Sequence, residues 1–289
     1  MENTNQNNTF SALYFDSKYE KPSVTVDAVI FRLVNKETKN YRKLPEKKLQ
    51  IFLSKRDYPP FKDSYGVIGT FIDLNNELSE SMQLCVKKKV GLENFYYEQL
   101  FTFGEKTRDP RTRVLSVAYL LLTSASYSLC NGEWFDIDIS SSIERQVSTE
   151  NGHILSQTIN IVLSNDNLIL DNTLQVTQNK ENLRETKNID ILHSSLAFDH
   201  IKIVFFALER LKNKLEYTDI IFNLLPKKFT LTELKHSYEV ILNEKLLDAN
   251  FRRKTSKMVK PINEYITGRG HRSSQIFIHN PSWTINNLD

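Results

Sequence analysis

The stretch GTFIDLNNELSESMQLCVKKKVGL, residues 69–92, constrains the fold most, because it sets one amphipathic helix between segments that have the pattern of β-strands. Leu78, Met82 and Val86 recur on one helical stripe, which predicts a helix from about Leu78 to Val90. A Gly-aromatic turn and an acidic loop precede the helix, and a Gly-Leu pair ends it. The stretch alone does not exclude an unrelated amphipathic helix, so the flanking segments have to decide.

Four runs beside this helix have the residue types of strands. They are PSVTVDAVIFRLV (22–34), KLQIFLSKR (48–56), FYYEQLFTF (95–103) and RVLSVAYLLL (113–122). One helix set between such strands predicts an α/β/α sandwich. The polar residues 139–193 follow the strand WFDID (134–138) and contain a hairpin that turns at 165–167. We expect them to be an insertion that enlarges the sheet.

The last third of the chain has the pattern of helices followed by a β-hairpin. LAFDHIKIVFFALERLKNKL (196–215) is a strong helix, with Phe198 and Asp199 placed as hydrophobic staple and cap. Three shorter helices follow: YTDIIFNLLP, which ends at Pro226; TLTELKHSYEVILN, with a capping box of Thr230 and Glu233; and DANFRRKTSKM, capped by Asp248. KPINEYITGRGHRSSQIFIHN then forms two strands around a Gly-flanked tip. Helices followed by such a hairpin predict a winged helix-turn-helix.

The predicted fold class is therefore α+β, with the α/β/α sandwich first and the winged helix-turn-helix second. At 289 residues, about two domains are expected. The predicted divisions are a partly disordered arm (1–22), the sandwich domain (23–195, with its insertion), a linking helix (196–215) and the winged domain (216–289).

The net charge of +3 conceals a basic C-terminal segment. Residues 200–289 carry a net charge of +6, and residues 251–272 hold seven basic side chains and one acidic side chain. A solvated face is the ordinary explanation of such a cluster. Its confinement beside a helix-turn-helix pattern favours contact with nucleic acid instead.

The helix DANFRRKTSKM has the composition of a recognition helix. Phe251, Thr255 and Met258 share an apolar stripe, so the basic residues face outward, where Arg can bond guanine and Asn can bond adenine in the major groove. The predicted DNA-binding residues are Asn250, Arg252, Arg253, Lys254 and Lys257 on the helix, and Arg269, His271 and Arg272 at the wing tip. A solvated helix and an exposed basic turn are the respective alternatives.

Several functional classes are disfavoured by the composition. No apolar run reaches the roughly 18 residues of a membrane span, and the polar start MENTNQNNTF is not a signal peptide. Two cysteines and six scattered histidines show no metal-ligand spacing. These features predict a cytoplasmic protein without a membrane partner, a metal or another cofactor.

The frame of residues 69–92 resembles the Nudix box, a motif whose glutamates hold divalent cations. Counting back from Gly91, only the packing and turn residues Val86, Gly91 and Leu92 keep the pattern. The other positions hold Thr70 for the opening glycine, Asn76 for the first glutamate, Leu84 for the arginine, and Cys85, Lys88 and Lys89 for the three later glutamates. Mg²⁺ prefers hard oxygen ligands, and two ammonium groups repel it, so this frame predicts no hydrolysis.

The flanking segments extend the resemblance to nearly the whole chain, apart from about the first 18 residues and the insertion at 139–193. YEKPSVTVDAVIF, LSKRDYPPFKDSYGVIGTFID, EQLFTFGEKTRDPRTRVLSVAYLLL, LAFDHIKIV and LEYTDIIFNLLPKKFTLTELKHSYEVILNEKLLDANFRRK resemble the Nudix-related transcriptional regulators. The resemblance implies a homodimeric repressor of NAD-metabolism genes. Its Nudix-like domain would sense a ligand, typically ADP-ribose or a related nucleotide, and its winged helix would hold operator DNA. A sensor binds a diphosphate without cleaving it.

Seven side chains are predicted to bind this ligand. They are Arg56, Arg108, Arg111 and Arg113, because Arg matches phosphate geometry, and Phe61, Phe71 and Tyr119, which can stack. A core position is the alternative for each aromatic residue, and a tight turn is the alternative for RDPR (108–111). Two other functions stay open: a hydrolase of nucleoside diphosphate derivatives with a rebuilt metal site, and a sugar-responsive regulator on the same scaffold.

Overall fold

A ten-stranded sheet with a helix on each face forms the N-terminal part of the chain. The computed structural model describes residues 21–36, 45–124, 132–149, 152–181, 184–266 and 273–283. The strands are β1 (Ser23–Lys36), β2 (Glu46–Lys55), β3 (Tyr65–Gly66), β4 (Ile68–Phe71), β5 (Tyr96–Phe103), β6 (Val114–Leu122), β7 (Glu133–Thr149), β8 (Gly152–Ser164), β9 (Ile169–Glu181) and β10 (Arg184–Ser194). Over the same described ranges, the helices of this part are α1 (Leu78–Val90) and α2 (His200–Tyr217).

The main sheet has the strand order β10-β9-β8-β7-β2-β1-β6-β5, and β3 and β4 pair with β2 and β1. The pairing of β1 with β6 is parallel, and the other pairings are antiparallel. Because side chains alternate along a strand, Ala28 and Ile30 face the core under α1, while Val29 and Phe31 face the core under α2. This arrangement confirms the predicted α/β/α sandwich.

The insertion enlarges the sheet, as predicted. Strands β7 to β10 continue beyond β2 and contain almost all of residues 139–193. The β8–β9 turn lies at the predicted place, where the Asn165 side chain accepts hydrogen bonds from the backbone N–H of Asn167 and Leu168, each at 2.9 Å. The buried side chains Ile161, Leu174 and Val176 extend the core on the α2 side of the sheet.

Helix α1 begins and ends where the sequence predicts. Glu77 and Glu80 form a capping box at its start, and Gly91 ends it with a φ of 77°, which favours glycine. Met82 and Val86 on its apolar stripe are buried against β1 and β6. The opposite face of the helix, with Lys87 and Lys88, is exposed.

Helix α2 begins at His200, directly after the predicted cap Asp199, but the predicted capping hydrogen bond to the Asp199 side chain is absent. Both carboxylate oxygens instead accept hydrogen bonds from Arg108, 91 residues earlier in the chain. A distant cation has replaced the local helix N–H groups as the partner of this carboxylate.

The C-terminal elements follow the predicted order. They are a 3₁₀ helix (Ile220–Leu224), β11 (Phe229–Thr230), α3 (Leu231–Leu242), α4 (Asp248–Thr255), β12 (Val259–Ile266) and β13 (Ser274–His279). The capping box of Thr230 and Glu233 is confirmed by hydrogen bonds of 2.8 and 3.2 Å. Asp248 does not cap α4, because Leu247 holds that position and the Asp248 carboxylate pairs with Lys235.

Among the described helices, none is long and apolar enough to cross a membrane.

Replacing Met82 by Ala should lower the free energy of unfolding of the N-terminal domain by about 2–5 kcal/mol, because a fully buried side chain leaves a cavity under α1. Urea denaturation followed by circular dichroism measures the change. Leu84→Ala on the same helix is the control, since Leu84 is 55% exposed and its loss should change stability by less than about 0.5 kcal/mol. Equal effects of the two substitutions would contradict the packing described for α1.

Candidate functional site

A cavity of about 710 Å³ opens where the sheet, the end of α1 and the start of α2 meet. Asp27 of β1 and Lys89 of α1 lie in its wall, together with the loop after β2 and the loop between β5 and β6. The residues from α2 and its approach are Phe198 and His200. The linking helix therefore starts inside the wall of the cavity.

Four of the seven predicted ligand residues line this cavity: Arg56, Phe71, Arg108 and Arg111. Phe61 lies next to it, with its ring 4.7 Å from that of Phe198. The structure thus gathers side chains that are up to 55 residues apart in sequence, from Arg56 to Arg111, at one place.

Arg113 and Tyr119 are not among the residues that line the cavity. Tyr119 is 4% exposed and belongs to the core under α1, as the alternative for each aromatic residue allowed. Arg113 lies directly before β6 with an exposed side chain, and its carbonyl oxygen accepts a hydrogen bond from the backbone N–H of Ser23. Neither residue therefore belongs to the wall of this cavity.

Arg108 and Asp199 form a buried bidentate ion pair beside the cavity. Nε of Arg108 donates to Oδ2 of Asp199 at 3.0 Å, and Nη2 donates to Oδ1 at 2.8 Å. The guanidinium also lies 3.9 Å from a carboxylate oxygen of Asp27. Because bidentate pairs fix orientation as well as distance, this contact ties the β5–β6 loop to the start of α2.

Asp27 is a buried carboxylate in the cavity wall. Burial raises the pKa of Asp27, whereas a hydrogen bond from Ser116 and the charges of Arg108 and Lys89 act to lower it. A Cβ at residue 69 would lie 1.9 Å from a carboxylate oxygen of Asp27, so only glycine fits there. Gly69 therefore serves the site by letting β4 pass close to the acid.

Phe198 and His200 are site residues that the sequence interpretation assigned only to the helix start. The Phe198 ring lies 4.6 Å from the Arg56 guanidinium and 5.4 Å from the His200 ring. Phe198 has a φ of 52°, a conformation that L-residues rarely adopt, and this backbone turns the chain into α2. No local sequence signal distinguishes such a residue from a hydrophobic staple.

His200 is buried and neutral. Its Nδ1 atom has no hydrogen-bond partner among the described residues and faces Gly66, where a Cβ would lie 2.4 Å away. Burial is the main reason that the pKa of His200 falls to about 4. The charges of Arg108 and Arg56 also lower this pKa, whereas the carboxylate of Asp199 raises it. The first residue of α2 thus offers an uncharged polar ring to the cavity.

Five cationic side chains line the cavity, and three of them are already paired. Lys55 pairs with Asp63, Arg108 with Asp199, and Arg111 with Asp109. Within the described ranges, Arg56 and Lys89 have no carboxylate oxygen within the 4.0 Å of an ion pair. These two positive charges remain available to an anionic ligand.

The helix face that would hold a Nudix metal does not fit a divalent cation. Cys85 is buried, and burial raises the pKa of its thiol, so the sulfur stays protonated at neutral pH. Lys88 is exposed, and Lys89 reaches the cavity. The described part of the chain holds no group of three or more His, Cys, Asp or Glu side chains arranged to bind a metal.

The candidate DNA-contacting surface lies on α4. Phe251 and Thr255 are buried, as is Met258 just after the helix, which confirms the predicted apolar stripe. Asn250, Arg252, Arg253 and Lys257 are exposed, on the side that the prediction assigned to DNA. The helix is shorter than predicted, because it ends at Thr255.

Lys254 departs from the predicted surface. Its ammonium lies 3.3 Å from a carboxylate oxygen of Glu216, in the last turn of α2, and 5.5 Å from the centre of the Tyr238 ring. The side chain therefore points toward α2 and α3 and not outward. Arg269, His271 and Arg272, predicted at the wing tip, lie outside the described residues.

Comparison with known proteins supports both halves of this architecture. Residues 221–278 match the family described as the NrtR DNA-binding winged helix domain. The ADPR responsive transcriptional repressor NtrR of Acinetobacter baylyi is 28% identical over 256 residues, which cover 87% of this chain and 79% of that protein. The ADP-ribose pyrophosphatase of Methanocaldococcus jannaschii is 28% identical over 103 residues, which cover 36% of this chain and 52% of that enzyme.

Solved structures show the same fold. A MutT/nudix family protein of Enterococcus faecalis superposes with a TM-score of 0.62 at 22% identity, covering 94% of this chain and 93% of the other. Shewanella oneidensis NrtR complexed with a 27mer DNA superposes with a TM-score of 0.58 at 24% identity, covering 89% and 94%. The chain thus has a Nudix-fold domain followed by a winged helix DNA-binding domain. It is similar to NrtR proteins in its winged helix domain and to the NtrR repressor over most of its length.

Acidification should destabilise the protein through His200. The folded ring has a pKa of about 4 and the unfolded ring about 6.5, so between these values the unfolded chain holds an extra proton. The free energy of unfolding should therefore fall as the pH decreases from 6.5 to 4. Between pH 7 and pH 4.5, the free energy of unfolding of His200→Gln should fall by about 2–3 kcal/mol less than that of wild type.

Denaturation at the two pH values measures this difference. His153→Gln, at an exposed position on β8, is the matched control and should leave the pH dependence of wild type unchanged. The explanation fails if wild type and His200→Gln lose the same stability on acidification.

Proposed function

We propose that this chain is a DNA-binding transcriptional regulator, acting as a repressor, whose Nudix-fold domain binds ADP-ribose or a related nucleotide without cleaving it. The observation that carries the proposal is a cavity at the first turn of the helix that leads to the winged domain. Two of its cations, Arg56 and Lys89, have no carboxylate partner among the described residues. A diphosphate supplies the anionic groups that such cations bind.

Aromatic side chains near the cavity can contact the base of a nucleotide. Phe71 is 51% exposed and lines the cavity, and Phe61 is 43% exposed beside Phe198. Exposed aromatic faces beside a phosphate-binding group allow a base to stack while its phosphates meet cations. The Acinetobacter relative, described as responsive to ADPR, supports ADP-ribose as this ligand.

Helix α2 gives the cavity a mechanical connection to the DNA-binding surface. Its 18 residues span about 27 Å, from His200 in the cavity wall to the last turn. There Glu216 pairs with Lys254 of α4 at 3.3 Å. A ligand that shifts the start of α2 would therefore also act on the helix that carries Arg252 and Arg253.

The DNA side of the proposal depends on the exposed basic face of α4 and on the family of the winged domain. We propose that the chain acts as a cytoplasmic homodimer and that its targets are NAD biosynthesis or salvage genes. A two-fold dimer that reads two major grooves places its recognition helices about 34 Å apart, or a multiple of that. The operator should then be a near-palindrome.

A Nudix-type hydrolase is the second candidate, because the chain is also similar to an ADP-ribose pyrophosphatase over a third of its length. Hydrolysis by that chemistry needs divalent cations that clamp phosphoryl oxygens and activate water. Cys85, Lys88 and Lys89 do not supply oxygen ligands for such ions. We therefore propose that the Nudix fold of this chain is catalytically inactive.

ADP-ribose should weaken the binding of the protein to promoter DNA from beside its own gene. We expect a loss of affinity of about 5- to 150-fold, the usual range of coupling between two sites, because the ligand acts on α2. Gel shifts with and without ADP-ribose measure it, and simple pentoses are the control. A response to a pentose and none to ADP-ribose would establish the sugar-responsive alternative.

The protein incubated with ADP-ribose and Mg²⁺ or Mn²⁺ should release no AMP or ribose phosphate above the blank. Metal-dependent turnover of the order of one per second would establish the hydrolase instead.

Arg252→Ala or Arg253→Ala should cost about 1–3 kcal/mol of operator binding and relax specificity at one position per half-site, if the side chain bonds a base edge. Lys257→Ala should instead weaken binding to all sequences alike and flatten the salt dependence. Lys106→Ala, an exposed charge in the N-terminal domain, is the control and should change nothing. If the double variant of Arg252 and Arg253 binds like wild type, α4 is not the recognition helix.

A further inference from the structure

We propose that the ammonium group of Lys89 takes the place of the metal ion of a Nudix site, as a tethered cation that holds the diphosphate of the effector. This inference rests on the proposed function, because it assigns a binding role within the same cavity. It implies that the effector binds without any divalent cation.

Two neighbouring lysines on α1 differ in where the helix places them. Lys88 is exposed, whereas Lys89 is half-buried and lines the cavity. Lys89 lies one turn after the buried Cys85, on the side of the helix that faces β4. The helix therefore brings one cation to the position where a metal would meet the ligand and leaves the other in solvent.

The ammonium of Lys89 already occupies an oxygen-lined position. Its Nζ donates to the carbonyl oxygen of Gly69 at 2.5 Å, and its charge acts on the buried carboxylate of Asp27. An ammonium has three donors, and the bond to Gly69 uses one of them. Since no other described residue accepts from Lys89, its remaining donors can meet phosphoryl oxygens.

The neighbouring charges favour an anion at this place. Arg56 is the other lining cation without a carboxylate partner in the described ranges, and it also acts electrostatically on Asp27. The two unpaired cations thus lie around the same acid. Lys binds phosphate as a compact point charge, and Arg binds it through a planar fork, so together they can hold the two phosphoryl groups of a diphosphate.

A lysine ammonium in place of a metal ion also explains how the site can bind a diphosphate without cleaving it. A metal ion both neutralises phosphoryl oxygens and lowers the pKa of a bound water, which becomes the nucleophile. An ammonium provides the neutralisation but coordinates no water as a Lewis acid. The ligand is then held by the same kind of charge, and the step that would destroy it is lost.

Calorimetric titration of ADP-ribose into the full-length protein tests the proposal. Wild type should bind with the same Kd in EDTA and in Mg²⁺. Lys89→Gln should weaken binding by about tenfold or more, and Lys89→Arg should recover part of the loss because it keeps the charge. Lys88→Gln is the matched control and should stay within about twofold of wild type. Thermal melting confirms that each variant is folded.

The outcomes separate this inference from the proposed function. If wild type binds ADP-ribose only with Mg²⁺, or if Lys89→Gln and Lys88→Gln bind equally well, the tethered cation is refuted and the regulator remains. If wild type binds no ADP-ribose under either condition, the proposed effector and this inference both fail.

Discussion

The buried ion pair of Arg108 with Asp199 is the contact on which the site depends. It joins the β5–β6 loop to the residue before α2, and so it fixes where the helix starts relative to the cavity. Removing one partner of such a pair costs about 3–5 kcal/mol, because the other charge stays buried and uncompensated. With the pair in place, His200 and Phe198 stay in the cavity wall, and the cavity is joined directly to the start of the linking helix.

Local patterns in the sequence were sufficient for most of the fold. The stripe of Met82 and Val86 with the Gly91 end predicted α1, and the box of Thr230 and Glu233 predicted the start of α3. These signals involve residues within a few positions of one another, so no tertiary contact is needed to interpret them. The polar turn at 165–167 likewise predicted the β8–β9 hairpin, which enlarges the sheet.

Predictions were wrong where a distant partner took a side chain. Asp199 and Asp248 have the residue type of helix caps, but Arg108 and Lys235 bind their carboxylates. Lys254 belongs to a basic run and pairs with Glu216, a contact that the run does not indicate, and its contact with DNA stays a prediction. Which of several arginines reaches the cavity depends on loop geometry in the same way. Such pairings form only in the assembled fold, so the spacing of residues in the sequence does not predict them.

In the proposed regulator, the cavity and the DNA-binding surface are coupled through α2. Coupling between two binding sites is reciprocal, so DNA must change the affinity for ADP-ribose by the same factor by which ADP-ribose changes the affinity for DNA. Calorimetry of ADP-ribose with the free protein and with the protein saturated by its own promoter fragment measures the first factor. We expect ADP-ribose to bind the DNA complex more weakly than the free protein, by the same factor by which ADP-ribose weakens DNA binding. Identical ADP-ribose affinities in the two titrations would contradict it.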